Sequence, residues 1–171
     1  MGKRIKKFSS ALLLVFTAFA CNESKSKTKT NINNDTIETM ENAIFPQGEQ
    51  GSNDYFVRNV WVTDLLAKDK NNEYSIGNVI FEPGARANWH THPKGQVLIV
   101  TEGNGFYQIK GKTAQALKKG DVINVPEETE HWHGASANSK LVHIAITNYL
   151  DDQNVNWLEP VSEEDYKRVN N

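Results

Sequence analysis

A single cysteine in 171 residues, Cys21, leaves no disulfide framework and no cysteine-built zinc site to consider. No apolar stretch reaches the roughly 20 residues that a membrane-spanning helix needs. Basic residues form no stripe, and 19 of them against 21 acidic ones give a net charge of −2, so nucleic acid is not an expected partner. No repeat of solenoid length is present. Histidine is missing from the first 89 residues. All five, His90, His92, His131, His133 and His143, then fall between positions 90 and 143.

The N-terminal end reads as a targeting segment. Lys3, Arg4, Lys6 and Lys7 form a basic head, and Phe8 to Ala20 is almost entirely apolar or small, so residues 1–20 are expected to be a signal peptide. It ends on Cys21, the position at which bacterial lipoprotein signals carry their lipid. Ala20 suits that role, although Phe19 is bulky and Ala18 stands where leucine is usual; Ala-Phe-Ala suits ordinary cleavage equally. Ordinary cleavage would leave a lone thiol in an oxidising compartment, so lipid attachment is the preferred reading. Either route exports the chain, as a cell-envelope lipoprotein of the periplasm or outer membrane or as a soluble periplasmic or secreted protein. Residues 21–42 then form a lipidated tether: Asn22 to Asn42 is rich in Asn, Ser, Lys and Thr, too polar to offset the entropy of ordering. Without the four basic residues of the head, 15 basic and 21 acidic residues remain, a net charge of −6.

Residues 43–171 read as one domain of ordinary size. Runs rich in Val, Ile, Phe, Tyr and Trp predict strands at Tyr55–Leu66, Tyr74–Phe81, Ala87–His92, Val97–Thr101, Gly105–Ile109, Thr113–Leu117, Val122–Val125 and Leu141–Tyr149. Many short strands at close spacing argue for a closed or sandwiched all-β fold that disposes of its edges. Ser162 followed by Glu163, Glu164 and Asp165, with Lys167 and Arg168 behind, predicts one short C-terminal helix with an N-cap and complementary charges.

His90 and His92 are two apart, so on extended backbone their rings leave the same face. Pro93 and Gly95 turn the chain, and Gln96 opens the apolar run Val97–Val100. A second His-x-His pair, His131 and His133, follows Gly120 and Pro126. The joint pattern Gly84-x5-His90-x-His92-x3-Gln96-x6-Gly103 and Gly120-x5-Pro126-x4-His131 resembles the two signature motifs of the cupin superfamily. Phe-Glu-Pro-Gly-Ala-Arg (81–86), Trp-His-Thr-His-Pro (89–93), Gly-Gln-Val-Leu-Ile-Val-Thr (95–101), His-Trp-His-Gly-Ala (131–135) and His-Ile-Ala-Ile (143–146) are similar to small manganese cupins that include bacterial (R)-selective hydroxynitrile lyases. The resemblance spans roughly residues 54–169.

That resemblance implies a small double-stranded β-helix, or jelly-roll, barrel with the C-terminal helix outside it. It implies one divalent metal held by His90, His92, Gln96 and His131. Gln96 stands where cupins at large carry glutamate, as it does in the lyase subgroup; Glu128 replaces the second motif's usual glycine and Ala135 its usual asparagine. The mixed nitrogen and oxygen set suits manganese first, iron next and zinc less. Three neutral imidazoles and a neutral amide leave the ion's charge uncompensated, which favours Lewis-acid chemistry.

His133 shares the strand face of His131, as a general acid or base or as a histidine bonded to backbone at the barrel mouth; both roles stay open, and His143 ranks below it. Trp89 and Trp132 alternate away from the ligands and are expected to pack outside. Phe81, Ala87, Leu98, Val100 and Ile146 are candidates for an apolar cavity wall. The implied activity is cyanohydrin cleavage on a small molecule, with a metal-dependent dioxygenase and a non-catalytic binding lipoprotein as alternatives. A homodimer through the edge strand Tyr55–Leu66 is expected by resemblance.

Overall fold

The computed structural model describes residues 44–170, so the expected signal peptide and the lipidated tether lie outside the described residues. The strands are β1 (Glu49–Gln50), β2 (Phe56–Val57), β3 (Val60–Leu66), β4 (Tyr74–Phe81), β5 (Arg86–Ala87), β6 (His90–Thr91), β7 (Gln96–Ile109), β8 (Gln115–Lys118), β9 (Val122–Val125), β10 (His131–Ala135), β11 (Leu141–Asn148) and β12 (Asn156–Trp157), followed by helix α1 (Glu163–Val169). Among the described residues the architecture is all-β with one short C-terminal helix, and every strand pairing is antiparallel.

β7 joins the two halves of the curled sheet. The sequence predicts two strands here, Val97–Thr101 and Gly105–Ile109, but the structure has one strand of 14 residues. Its first half pairs with β11 and β9, its second with β10 and β8. The chain turns the corner at Gly103, whose φ of 75° is in the left-handed region. A Cβ there would stand 1.9 Å from the Lys140 carbonyl oxygen, so only glycine lets the strand bend without ending.

The other departures have similar causes. Tyr55–Leu66 splits at Arg58, which takes a φ of 67° and sends β2 to pair with β5 and β3 to pair with β4. β3 is also not a free edge, because β1 covers Trp61 and Val62. Ala87–His92 divides into β5 and β6, both laid against β10.

Alternation along the strands buries Val60, Phe81, Leu98, Val100, Leu117 and Leu141 between the halves. On the outside Trp89 and Trp132, 6% and 0% exposed, pack with Val161 and Tyr166 beneath α1. Burial of each such ring contributes about 1.5–3 kcal/mol. Arg86 ties the helix down: its guanidinium donates to Val161 O and Glu163 Oε1, both at 2.9 Å, and lies 4.5 Å from the Tyr166 ring centre. Ser162 caps the helix by accepting from Asp165 N at 3.0 Å.

Candidate metal centre

Pro93 and Gly95 reverse the chain between His92 and Gln96. The turn closes through Gly95 N–H donating to His92 O, 3.1 Å, and the same carbonyl accepts from Glu128 N at 2.9 Å, which ties the second histidine pair to the first. Glu128 holds a φ of 53°, a left-handed conformation that glycine adopts without strain. That is the physical reason a glycine is usual at this position. β10 lies beside β6 with His131 directly opposite His90.

These constraints bring one ring nitrogen each of His90, His92 and His131 within 4.8 Å of one another, with all three residues buried. Each ring is held at its other nitrogen. His90 Nδ1 donates to Asn88 O and His131 Nδ1 to Thr129 O, both at 2.8 Å, and His92 Nδ1 donates to Asn154 O. A carbonyl oxygen can only accept, so each imidazole carries its proton on Nδ1 and offers a lone pair at Nε2. The Nε2 atoms of His92 and His131 are buried without a partner among the described residues, as is Gln96 Oε1. Buried polar atoms without partners are costly, and several converging on one point fit a metal ion that would satisfy them together. Gln96 lies beside His92 and is 6% exposed.

His133 and His143 form a second layer. His143 Nε2 lies 3.3 Å from His133 Nδ1, and both rings pack against Phe81. The pair shares one hydrogen between these nitrogens, while His133 Nε2 is buried and unpartnered. His133 therefore stands next to the ligand cluster but outside it, and His143 faces inward on β11 between β4 and β7.

Burial dominates the titration of all five. It holds His90 and His133 well below the ordinary imidazole value and lowers His92, and it brings His131 and His143 down to about 4; neighbouring imidazoles push His90, His131 and His133 further down. The unfolded chain takes up these protons near pH 6.5, so the stability of the metal-free protein is complete above that value. It should fall as pH drops below 6.5; the part owed to His131 and His143 levels off below about 4, while that owed to His90 and His133, held lower still, goes on falling. Denaturant titrations between pH 7 and 4 measure this, and a flat profile would mean that the rings accept protons inside the fold.

The cluster opens into a cavity of about 210 Å³. β4 supplies Ser75, Gly77, Val79 and Phe81, β11 supplies His143, Ala145 and Thr147, and β3 supplies Val62 and Asp64. Of the expected wall, Phe81 lines the cavity, whereas Ala87, Leu98 and Val100 belong to the packed core. Ile146 points to the other face, one residue out of step with Ala145 and Thr147. Sequence reading missed Phe56, Asn154, Val155 and Trp157, which close one side. Trp157 stacks on Tyr55 and stands 4.9 Å from the His90 ring, and Asn154 adds the carbonyl that orients His92. Nothing local marks this polar segment as part of a site.

The Cupin domain family matches residues 77–147, which hold all four expected ligands. An (R)-mandelonitrile lyase from Granulicella tundricola is 40% identical over 119 residues, covering 70% of this chain and 91% of the lyase. The chain is a cupin. Among solved structures, a cupin-like protein from Thermotoga maritima is 48% identical, covers 74% of this cupin and 96% of that chain, and superposes with a TM-score of 0.71. An acireductone dioxygenase from Alcanivorax borkumensis is 35% identical over 65 residues, 36% of either chain. The cupin thus carries a three-histidine site able to hold a divalent metal, of the kind its family uses.

Proposed function

We propose that this cupin is a metal-dependent lyase that cleaves and forms cyanohydrins. The observation that carries the reading is the neutral ligand set, His90, His92, His131 and Gln96, facing a mostly apolar cavity with a histidine pair beside it. When bound, a divalent metal, manganese first, supplies a positive centre whose charge no carboxylate in the set cancels. Asp64 is the one charged side chain among the described residues lining the cavity, so a carboxylate substrate would find no lysine or arginine there. A neutral hydroxynitrile with an apolar group suits such walls.

His133 presents Nε2 to the cavity and takes the proton of the substrate hydroxyl. As the carbonyl forms, the carbon–cyanide bond breaks with its electron pair on cyanide, and the same proton is returned to give hydrogen cyanide. His143 holds the His133 ring through its other nitrogen. Phe81 and Trp157 keep bulk water from the two layers of histidine.

The test is release of benzaldehyde from mandelonitrile by the manganese-loaded protein, followed by absorbance, with the enantiomers separated in the reverse reaction. An absence of turnover over a range of cyanohydrins, together with oxygen uptake on enediol or catechol substrates, would replace the lyase with a dioxygenase. Gln96→Glu is expected to keep the metal and to lower lyase activity about tenfold, because a carboxylate cancels part of the positive charge that steadies the departing anion. Activity at or above wild type would mean that this charge is not limiting.

We further propose that the cupin is exported and anchored through a lipid on Cys21, and that it works as a homodimer. In support of the anchor stand the basic head, the apolar run and the solitary cysteine. Each buried lipid CH2 contributes about 0.8 kcal/mol, so diacylation would hold the chain firmly. Cys21→Ser should move the protein from the membrane pellet to the soluble fraction or leave it unprocessed, with metal content unchanged. An unmodified thiol in the mass of the native N-terminus would refute the anchor, and a monomer mass by light scattering would refute the dimer.

A further inference from the structure

We infer that Thr147 is a positioning residue for the metal centre, acting through Gln96. Thr147 lies directly opposite Gln96 in the β11–β7 register, so their side chains leave the sheet side by side into the cavity. Gln96 Nε2 donates to Thr147 Oγ1 at 3.1 Å. The amide oxygen is left pointing away from Thr147, buried and without a protein partner. Both residues are nearly closed off from water, at 6% and 7% exposure.

An amide is chemically two-faced, and only its oxygen can ligate a cation. The ligating orientation puts the NH2 group elsewhere, and at this depth that group needs an acceptor. Thr147 Oγ1 is that acceptor. A carboxylate ligand would present an oxygen whichever way it turned and would have no NH2 group to bury, so the neutral ligand and the threonine form a matched pair. The inference rests on His90, His92, His131 and Gln96 being the metal ligands, and it requires nothing of the reaction catalysed.

The measurement is manganese(II) affinity by competition with a chromogenic chelator, together with the electron paramagnetic resonance spectrum of the bound ion, on the full domain. Thr147→Val keeps the shape and removes the acceptor; it should weaken manganese about tenfold, the lower range for loss of a residue that supports a ligand, and alter the spectrum. Thr147→Ser retains the hydroxyl and should restore both, which also covers the case of a valine variant that fails to fold. In a Gln96→Ala background, Thr147→Val should cost nothing further, because no amide remains to orient. Wild-type affinity and spectrum in Thr147→Val would overturn the inference, as would an equal loss with and without Gln96. Failure of the wild-type protein to bind manganese would overturn the metal-centre reading itself, whereas failure to turn over mandelonitrile would leave the inference standing.

Discussion

His131→Ala and His92→Ala should each abolish stoichiometric metal binding. Each ring contributes a lone pair at a buried Nε2 that no protein group satisfies, and each is oriented for that purpose by a backbone carbonyl at its Nδ1. Losing only a group that orients a ligand typically costs 10–100-fold in affinity, so losing a ligand outright should cost at least about 100-fold. Thermal stability offers a second readout. Metal at a thousand times its dissociation constant should stabilise the wild type by about 4 kcal/mol, and that increment should vanish in either variant. Full metal content in both, by elemental analysis of protein prepared without chelator, would remove these residues from the centre.

His133→Ala should separate metal binding from chemistry. The ring is buried beside the ligand cluster yet outside it, it lines the cavity, and its Nε2 has no partner among the described residues. Removing a proton-transfer group of this kind typically lowers turnover by about 10²–10⁴-fold. The expected result is a loss of that size in kcat for cyanohydrin cleavage, with one manganese still bound and an unchanged resonance spectrum. Loss of the metal as well would make His133 a ligand. Retained turnover would pass the proton transfer to another group, with His143, 3.3 Å from His133, the first to examine.

The two experiments test features of different legibility. The paired His-x-His spacing, Gln96 after a Pro93–Gly95 turn, and strand-like alternation are local patterns, and local patterns survive folding because they follow from the two-residue period of extended backbone. The same holds for α1, whose start, charges and cap are written in Ser162 to Arg168. Trp89 and Trp132 also fall where alternation puts them, outside the ligand face.

Where a strand bends, however, local pattern is silent. Gly103 merges two expected strands into β7 because the Lys140 backbone passes too close for any side chain, a fact that depends on residues 37 positions downstream. The cavity wall shifts from Ile146 to its neighbours Ala145 and Thr147 because a one-residue step inverts every side chain, and only pairing with β4 and β7 fixes the step.

The sequence alone therefore determined the fold class, the C-terminal helix, the family and the three histidines able to hold a metal, since each is encoded by spacing along a few residues. The tertiary structure decided that the Asn154 carbonyl orients His92, that the segment from Asn154 to Trp157 closes the cavity, that His143 backs His133 and that Thr147 faces Gln96. The hydrogen bonds of His143 to His133, Gln96 to Thr147 and His92 to Asn154 join residues 10 to 62 positions apart, and no local preference specifies a contact whose partner is chosen by strand register and by the bend of one glycine.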